Sequence, residues 1–175
     1  VIELAAPGVT TGVLGSAVQE TIEACGLRPV ANLTGHGIKR YDLHSGLSIP
    51  SVGGHRGTAL RKDDVIAVEP FATNGAGRVG GKRNSNIYHL GSPRRVRDSA
   101  AAGLLERIRS EFHGLPFAER WLHAFSDEPR KPLQRLLRSG AVGFYPVLDE
   151  LGHGMVAQAE HTMLLTSGGV EVLTA

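Results

Sequence analysis

Thiols, long apolar runs and an excess of either charge are all missing from this chain. One cysteine, Cys25, among 175 residues cannot form an internal disulfide, which fits a reducing compartment, and the cytosol is the expected location. No apolar run approaches the roughly 18 residues of a membrane span. The opening Val1-Ile-Glu-Leu-Ala-Ala-Pro7 lacks the charged-then-apolar order of a signal peptide, so a soluble protein is expected. The chain also starts abruptly, running from Val1 into what reads as the tail of a helix and its loop, as a fragment would. Net charge is only +2, with basic residues at Lys82-Arg83, at Arg94, Arg95 and Arg97, and between Arg130 and Arg138. Those clusters are too small to indicate nucleic-acid binding by themselves, and the three arginines at 94–97 read as the solvated start of a helix. Repeats and low-complexity segments are absent as well. At 41% hydrophobic content, the chain can fold as a globular domain that buries roughly 70% of its unfolded surface.

The hydrophobic periodicity predicts a mixture of helices and strands. Ser16 to Ala24 is amphipathic, with Val18, Ile22 and Cys25 on one face, Ser16 and Gln19 as a capping box, and Gly26 as the stop. Extended structure is expected at Val30–Leu33, Tyr41–His44, Ser48–Val52 with Pro50 at an edge, Val65–Ala72 and Asn84–Leu90. A helical stretch follows: Arg95–Phe112, then two shorter helices at Pro116–Phe125 and Pro132–Leu137. Strands resume at Phe144-Tyr145, and Val156–Leu165 with Val170–Leu173 reads as a hairpin through Gly168-Gly169.

Two carboxylates stand out because they interrupt apolar runs: Glu69 in Val65-Ile-Ala-Val-Glu-Pro-Phe-Ala72 and Glu160 in Ala157-Gln-Ala-Glu-His-Thr-Met-Leu-Leu165. Burying an unpaired carboxylate costs several kcal/mol, so a cation is expected beside each, and a metal ion serves both. For either glutamate alone, an Arg or Lys partner at a strand edge is the competing reading. His36, in Gly35-His-Gly37, is a third candidate ligand whose flanking glycines read as a loop open to close approach. Two carboxylates and an imidazole suit Mn, Co, Zn or Fe better than a thiolate-preferring ion. His44 is a candidate hydrogen-bond donor to a substrate carbonyl, whereas His161 falls on the strand face opposite Glu160 and reads as structural. Gly75-Ala-Gly77 and Gly80-Gly81 lack the Gly-Lys-Ser/Thr continuation of a phosphate loop. Trp121 and Phe125, four apart, read as helix core, and Tyr145 as a possible pocket wall.

The segments Asn32-Leu-Thr-Gly-His-Gly-Ile38, Leu43-His-Ser-Gly46, Ile66-Ala-Val-Glu-Pro-Phe71 and Gln158-Ala-Glu-His-Thr162 together resemble type 2 methionine aminopeptidases, most closely the archaeal ones. The resemblance covers essentially the whole chain. Related Xaa-Pro dipeptidases typically place Pro-Gly after the first glutamate and an Arg-Ile-type strand before the last; here the residues are Pro70-Phe71 and Gln158-Ala159. The resemblance implies an α/β (α+β) pita-bread fold, a curved antiparallel sheet with helices outside. Residues 1–91 and 145–175 would belong to the catalytic domain, with a helical insert at 92–144 that marks type 2. It implies two divalent metal ions (Co, Mn, Fe or Zn), with His36, Glu69 and Glu160 as ligands, Glu69 also as general base, and Glu160 as the bridge. His44 would contact substrate near the scissile amide, with Phe71 and Tyr145 near the methionine pocket. The activity implied is removal of the initiator methionine from nascent polypeptide N-termini, by a cytoplasmic protein that is monomeric at full length and meets its substrates at the ribosome. The family's centre also needs two aspartates and a further histidine upstream of the first helix. Asp42, Asp63 and Asp64 do not match those positions, so the chain reads as a C-terminal portion. The alternative is a non-catalytic pita-bread protein that binds a protein or ribosomal RNA through its basic insert.

Overall fold

Val65-Ile-Ala-Val68 is short, apolar and rich in β-branched residues, as a strand covered on both faces must be. In the computed structural model, which describes residues 1–92 and 95–175, that segment is the middle strand of a five-stranded sheet. The chain divides into two compact units, Val1–Gly80 with Leu148–Ala175, and Gly81–Val147. In chain order the first stretch holds α1 (Thr11–Ala24), β1 (Arg28–Pro29), β2 (Thr34–Ile38), β3 (Ser48–Pro50), β4 (Val65–Val68), β5 (Phe71–Thr73) and β6 (Val79–Gly80). The second unit contains β7 (Asn84–Leu90), α2 (Ser99–Phe112), β8 (Phe117–Ala118), a 3-10 turn (Glu119–Ala124), α3 (Arg130–Ser139) and β9 (Val142–Pro146). The chain returns to the first unit with β10 (Asp149–Glu150), β11 (Val156–Gln158), β12 (His161–Thr166) and β13 (Gly169–Val172).

Among the described residues, the first unit's large sheet runs β13-β12-β4-β2-β3, and a smaller one runs β1-β5-β11, every pair antiparallel. Pro50, which has no N–H to give, sits on edge strand β3 as expected. Helix α1 packs against β3, and its buried Leu14 joins Ile49, Ile66, Met163 and Leu165 in one core. In the second unit β7 lies between β8 and β9, and Leu104, Leu105 and Ile108 of α2 pack with Leu133 and Leu136 of α3 and with Tyr88 and Phe117. Among the described residues, no helix is long and apolar enough to cross a membrane.

Several expected elements differ. Helix α1 starts five residues before Ser16, whose hydroxyl donates to the Gly12 carbonyl inside the helix, so there is no capping box. Gln19 instead accepts from the Gly53 amide. Gly26, at φ 72°, does end the helix, but Cys25 is exposed rather than part of the buried face. Residues 41–44 form a turn closed by the Lys39–Asp42 bridge instead of a strand. Helix α2 begins at Ser99, where the Asp98 carboxylate accepts from the Ala101 amide and caps it. Arg95 and Arg97 therefore precede the helix, and Arg94 lies outside the described residues. The helix expected over 116–125 is a short strand followed by a 3-10 turn, with Phe125 against the core and Trp121 46% exposed. The stretch read as a helical insert thus carries strands too.

Candidate active site

The two glutamates sit at breaks rather than inside strands. Residues Val65–Ala72 were expected to form one strand, but Pro70 cannot donate to a ladder, and the run splits into β4 and β5 around Glu69-Pro70. The run Val156–Leu165 splits likewise, into β11 and β12 around Ala159-Glu160. The breaks are aligned: Val68 pairs with His161 on one side and Phe71 with Gln158 on the other, while the Ala159 amide donates to the Pro70 carbonyl between them. A two-stranded ribbon therefore crosses from the large sheet to the small one at a single point, and that point holds both carboxylates. Their burial is also less than the apolar runs imply. The Glu69 side chain is 18% exposed, and Glu160 is exposed.

His36 reaches the same point from β2. The Gly-His-Gly segment is a strand, not an open loop, and its glycines make room for protein. A Cβ on Gly35 would stand 2.3 Å from the Ala67 carbonyl oxygen, and one on Gly37 2.8 Å from the Ser45 hydroxyl oxygen. With His36 paired to Ala67, its Nε2 lies 3.2 Å from Glu69 Oε1. Its Nδ1 is 3.2 Å from the Gly37 carbonyl oxygen. If Nδ1 carries the proton for that carbonyl, Nε2 presents a lone pair to a carboxylate oxygen, an arrangement that calls for a proton or a cation between them. His44 stands edge-on to His36, ring centroids 4.4 Å apart, delivered by the turn that returns the chain to β3. Gln158 links the carboxylates, its Nε2 donating to Glu69 Oε2 at 3.3 Å and to Glu160 Oε2 at 3.2 Å.

Electrostatics follow this packing. Burial pushes the Glu69 carboxyl above its ordinary pKa and the nearby Glu160 pushes it the same way, while His36 opposes both. Burial and the neighbouring His36 lower the pKa of His44, against a smaller opposing pull from Asp42. The donors match a divalent ion in kind, and 3.2 Å is a separation that two donors about 2.1 Å from one ion can span. Among the described residues, though, no three His, Cys, Asp or Glu side chains close into a metal-holding group. The site is a His36–Glu69 pair, with Glu160 joined to it through an amide.

The other singled-out residues fall as follows. Phe71 opens β5, two residues beyond Glu69. Tyr145 is on β9 in the second unit, where its ring meets His89 edge-on at 5.0 Å and burial raises its pKa. His161 contacts the Thr174 hydroxyl through Nδ1. The Asp64 carboxylate accepts from the Arg61 amide. The glycine-rich turn at 75–77 proves to be an anion cradle filled from within. The buried Glu150 carboxylate accepts from the amides of Gly77, Gly152 and Gly154, and these bonds hold its pKa down. Sequence reasoning passed over both Gln158 and Glu150. For Gln158, the available signal was its position two residues before Glu160 on a strand, hence on the same face.

The chain belongs to metallopeptidase family M24, whose profile matches residues 1–167. Its relatives include methionine aminopeptidases of Methanocaldococcus jannaschii, 42% identical over 96% of this chain and 57% of that protein, and of Pyrococcus horikoshii, 43% identical over 99% and 60%. The chain thus spans somewhat over half the length of the curated relatives it matches. Among solved structures, a thermophilic Arx1 matches with a TM-score of 0.76 at 14% identity, covering 93% of this chain and 45% of that one. The methionine aminopeptidase of Thermotoga maritima matches at 0.58 and 24% identity, covering 99% and 45%. The mixed α/β fold with antiparallel sheets is the pita-bread fold of that family.

Proposed function

We propose that this chain forms part of a metal-dependent aminopeptidase that removes the initiator methionine from nascent polypeptides. The observation that carries the reading is the aligned break, which brings Glu69 and Glu160 to one point of the sheet, with His36 beside Glu69. These three residues would hold the divalent ions, two in number by analogy with the family, from among Co, Mn, Fe and Zn. When bound, such ions polarise an amide carbonyl and acidify water. Glu69, its affinity for protons raised by burial, is suited to accept a proton from water and pass it to the leaving amine. His44, its pKa lowered by burial, would offer an N–H to the substrate carbonyl region. Phe71, two residues beyond Glu69, would contact the methionine side chain. The protein would act in the cytosol, as a monomer. In the intact protein, release of methionine from a Met-Ala-Ser peptide should require added divalent ion and should vanish in Glu160→Ala while the circular dichroism is unchanged. Undiminished turnover in that variant would refute the ligand assignment.

A second reading concerns a partner, and uneven charge favours it. Residues 81–147 hold twelve Lys and Arg against six Asp and Glu, and the rest of the chain seven against eleven, which together make the 19 and 17 of the whole. A net +6 on 67 residues suits a polyanion such as ribosomal RNA near the exit of nascent chains. Filter binding of ribosomal RNA should weaken steeply between 50 and 200 mM salt, as phosphate contacts require. Affinity independent of salt would remove this reading and leave the first intact.

A further inference from the structure

Two carboxylates brought to one point repel each other, and without a tether each side chain turns out into water. Glu160 is exposed and free to do so. What holds it is the primary amide of Gln158, whose two hydrogens serve Glu69 and Glu160 at once. Gln158 is well placed for this by backbone register. It ends β11, two residues before Glu160, and pairs with Phe71, two residues after Glu69. From there it spans the break that separates the two acids.

We infer that Gln158 is a positioning residue that holds Glu69 and Glu160 in register before a cation arrives. The inference rests on the reading of these two glutamates as ion ligands. The chemistry of the tether matters as much as its reach. A Lys or Arg in this place would satisfy the same oxygens, but it would also neutralise them and compete with a divalent ion. A neutral amide orders the carboxylates and leaves their charge for the ion, as partners behind metal ligands commonly do.

The test is made on the intact protein with Co2+, read both by calorimetry and by the visible spectrum of the bound ion. Gln158→Ala should weaken Co2+ binding by about tenfold, the lower end of what loss of such a partner costs. Gln158→Lys should weaken it further, while circular dichroism shows both variants folded, as expected for an exposed side chain. His36→Ala and Glu160→Ala are the references for the underlying reading. If they lose affinity while Gln158→Ala keeps or gains it, the positioning role is overturned and the ligand reading stands. If neither reference variant loses affinity, or the unaltered intact protein takes up no Co2+, both fall. A second measurement needs no ion: the side-chain amide resonances of Gln158 should shift in Glu69→Ala and in Glu160→Ala alike. A shift in one alone, or in neither, overturns the bridge.

Discussion

Gly35→Ala tests how closely the strand that carries His36 is set against the strand that leads to Glu69. The added methyl would lie 2.3 Å from the Ala67 carbonyl oxygen, whereas real Cβ contacts essentially never fall below 3.0 Å, so β2 must retreat from β4 by about 0.7 Å. No side chain can yield instead, because the next atoms, Ala67 C and Val68 Cα at 3.3 Å, are also backbone. A ladder bond of about 2.9 Å stretched by that amount passes out of hydrogen-bonding range. Losing one or two such bonds costs about 0.5–1.5 kcal/mol each. Overpacking costs about 1–3 kcal/mol. The roughly 0.5–1 kcal/mol that alanine gains over glycine inside a strand offsets part of this. A net loss of about 0.5–5.5 kcal/mol is expected, or a fall in Tm of roughly 1–22 °C for a chain of this size. Urea denaturation followed by circular dichroism should show a lower midpoint at unchanged slope. Gly103→Ala is the control. It lies in α2 with nothing within 4 Å of its added carbon, and should gain up to about 1 kcal/mol. If Gly35→Ala behaves like Gly103→Ala, the close-approach reasoning is wrong.

Ile108, fully buried in the second unit, should cost about 2–5 kcal/mol when cut to alanine, measured by the same denaturation. The half-buried Glu69 and the buried Glu150 should respond to pH with opposite signs. Glu69 has a raised pKa, so its contribution to stability is full below the unfolded pKa and is lost as pH rises through the folded value. Glu69→Gln should therefore raise the ion-free Tm at pH 8 and change it little at pH 4; a lowered Tm at pH 8 would contradict the burial argument. Glu150 has a lowered pKa, so its contribution is present above the unfolded pKa and is lost as pH falls through the folded one. Glu150→Gln should lower Tm at neutral pH, with the gap closing in acid, and a gap that widened in acid would rule out the cradle as its cause.

Which residues gather at the candidate site was more legible in the sequence than how they are arranged. A charge inside an apolar run is visible without coordinates, and so Glu69 and Glu160 were found. Their aligned breaks were not, because hydrophobicity alone runs Val65–Ala72 together, although Pro70 carried the missing signal. His36 was expected on a loop since glycines usually punctuate strands, and only the proximity of Ala67 and Ser45 explains why they are kept inside one. For α1, capping preference pointed to Ser16, but the helix extends back to Thr11, with Thr11, Leu14 and Gly15 buried ahead of Ser16. Tertiary burial overrode local preference there. The four-residue spacing of Trp121 and Phe125 fits a helix, yet the segment is a 3-10 turn whose Leu122 is the fully buried residue, with Phe125 packed against the core and Trp121 46% exposed. The cradle around Glu150 was illegible because its donors are backbone amides from segments some 75 positions apart in the chain, such as Gly77 and Gly152.

Since both acids stand at one crossing of the ribbon, their spacing depends on two pairings that must agree. Val68 is fixed against His161 by the large sheet and Phe71 against Gln158 by the small one, leaving two residues on each strand to bridge the gap. One residue inserted on a single strand would break that equality and move one carboxylate to the opposite face. Substitutions around Glu69 and Glu160 can be absorbed one by one, but a change in length cannot. Over evolutionary time the residues beside Glu69 and Glu160 should drift in side chains while both segments hold their residue count, and the turn at 167–168, on the far side of β12, is free to grow.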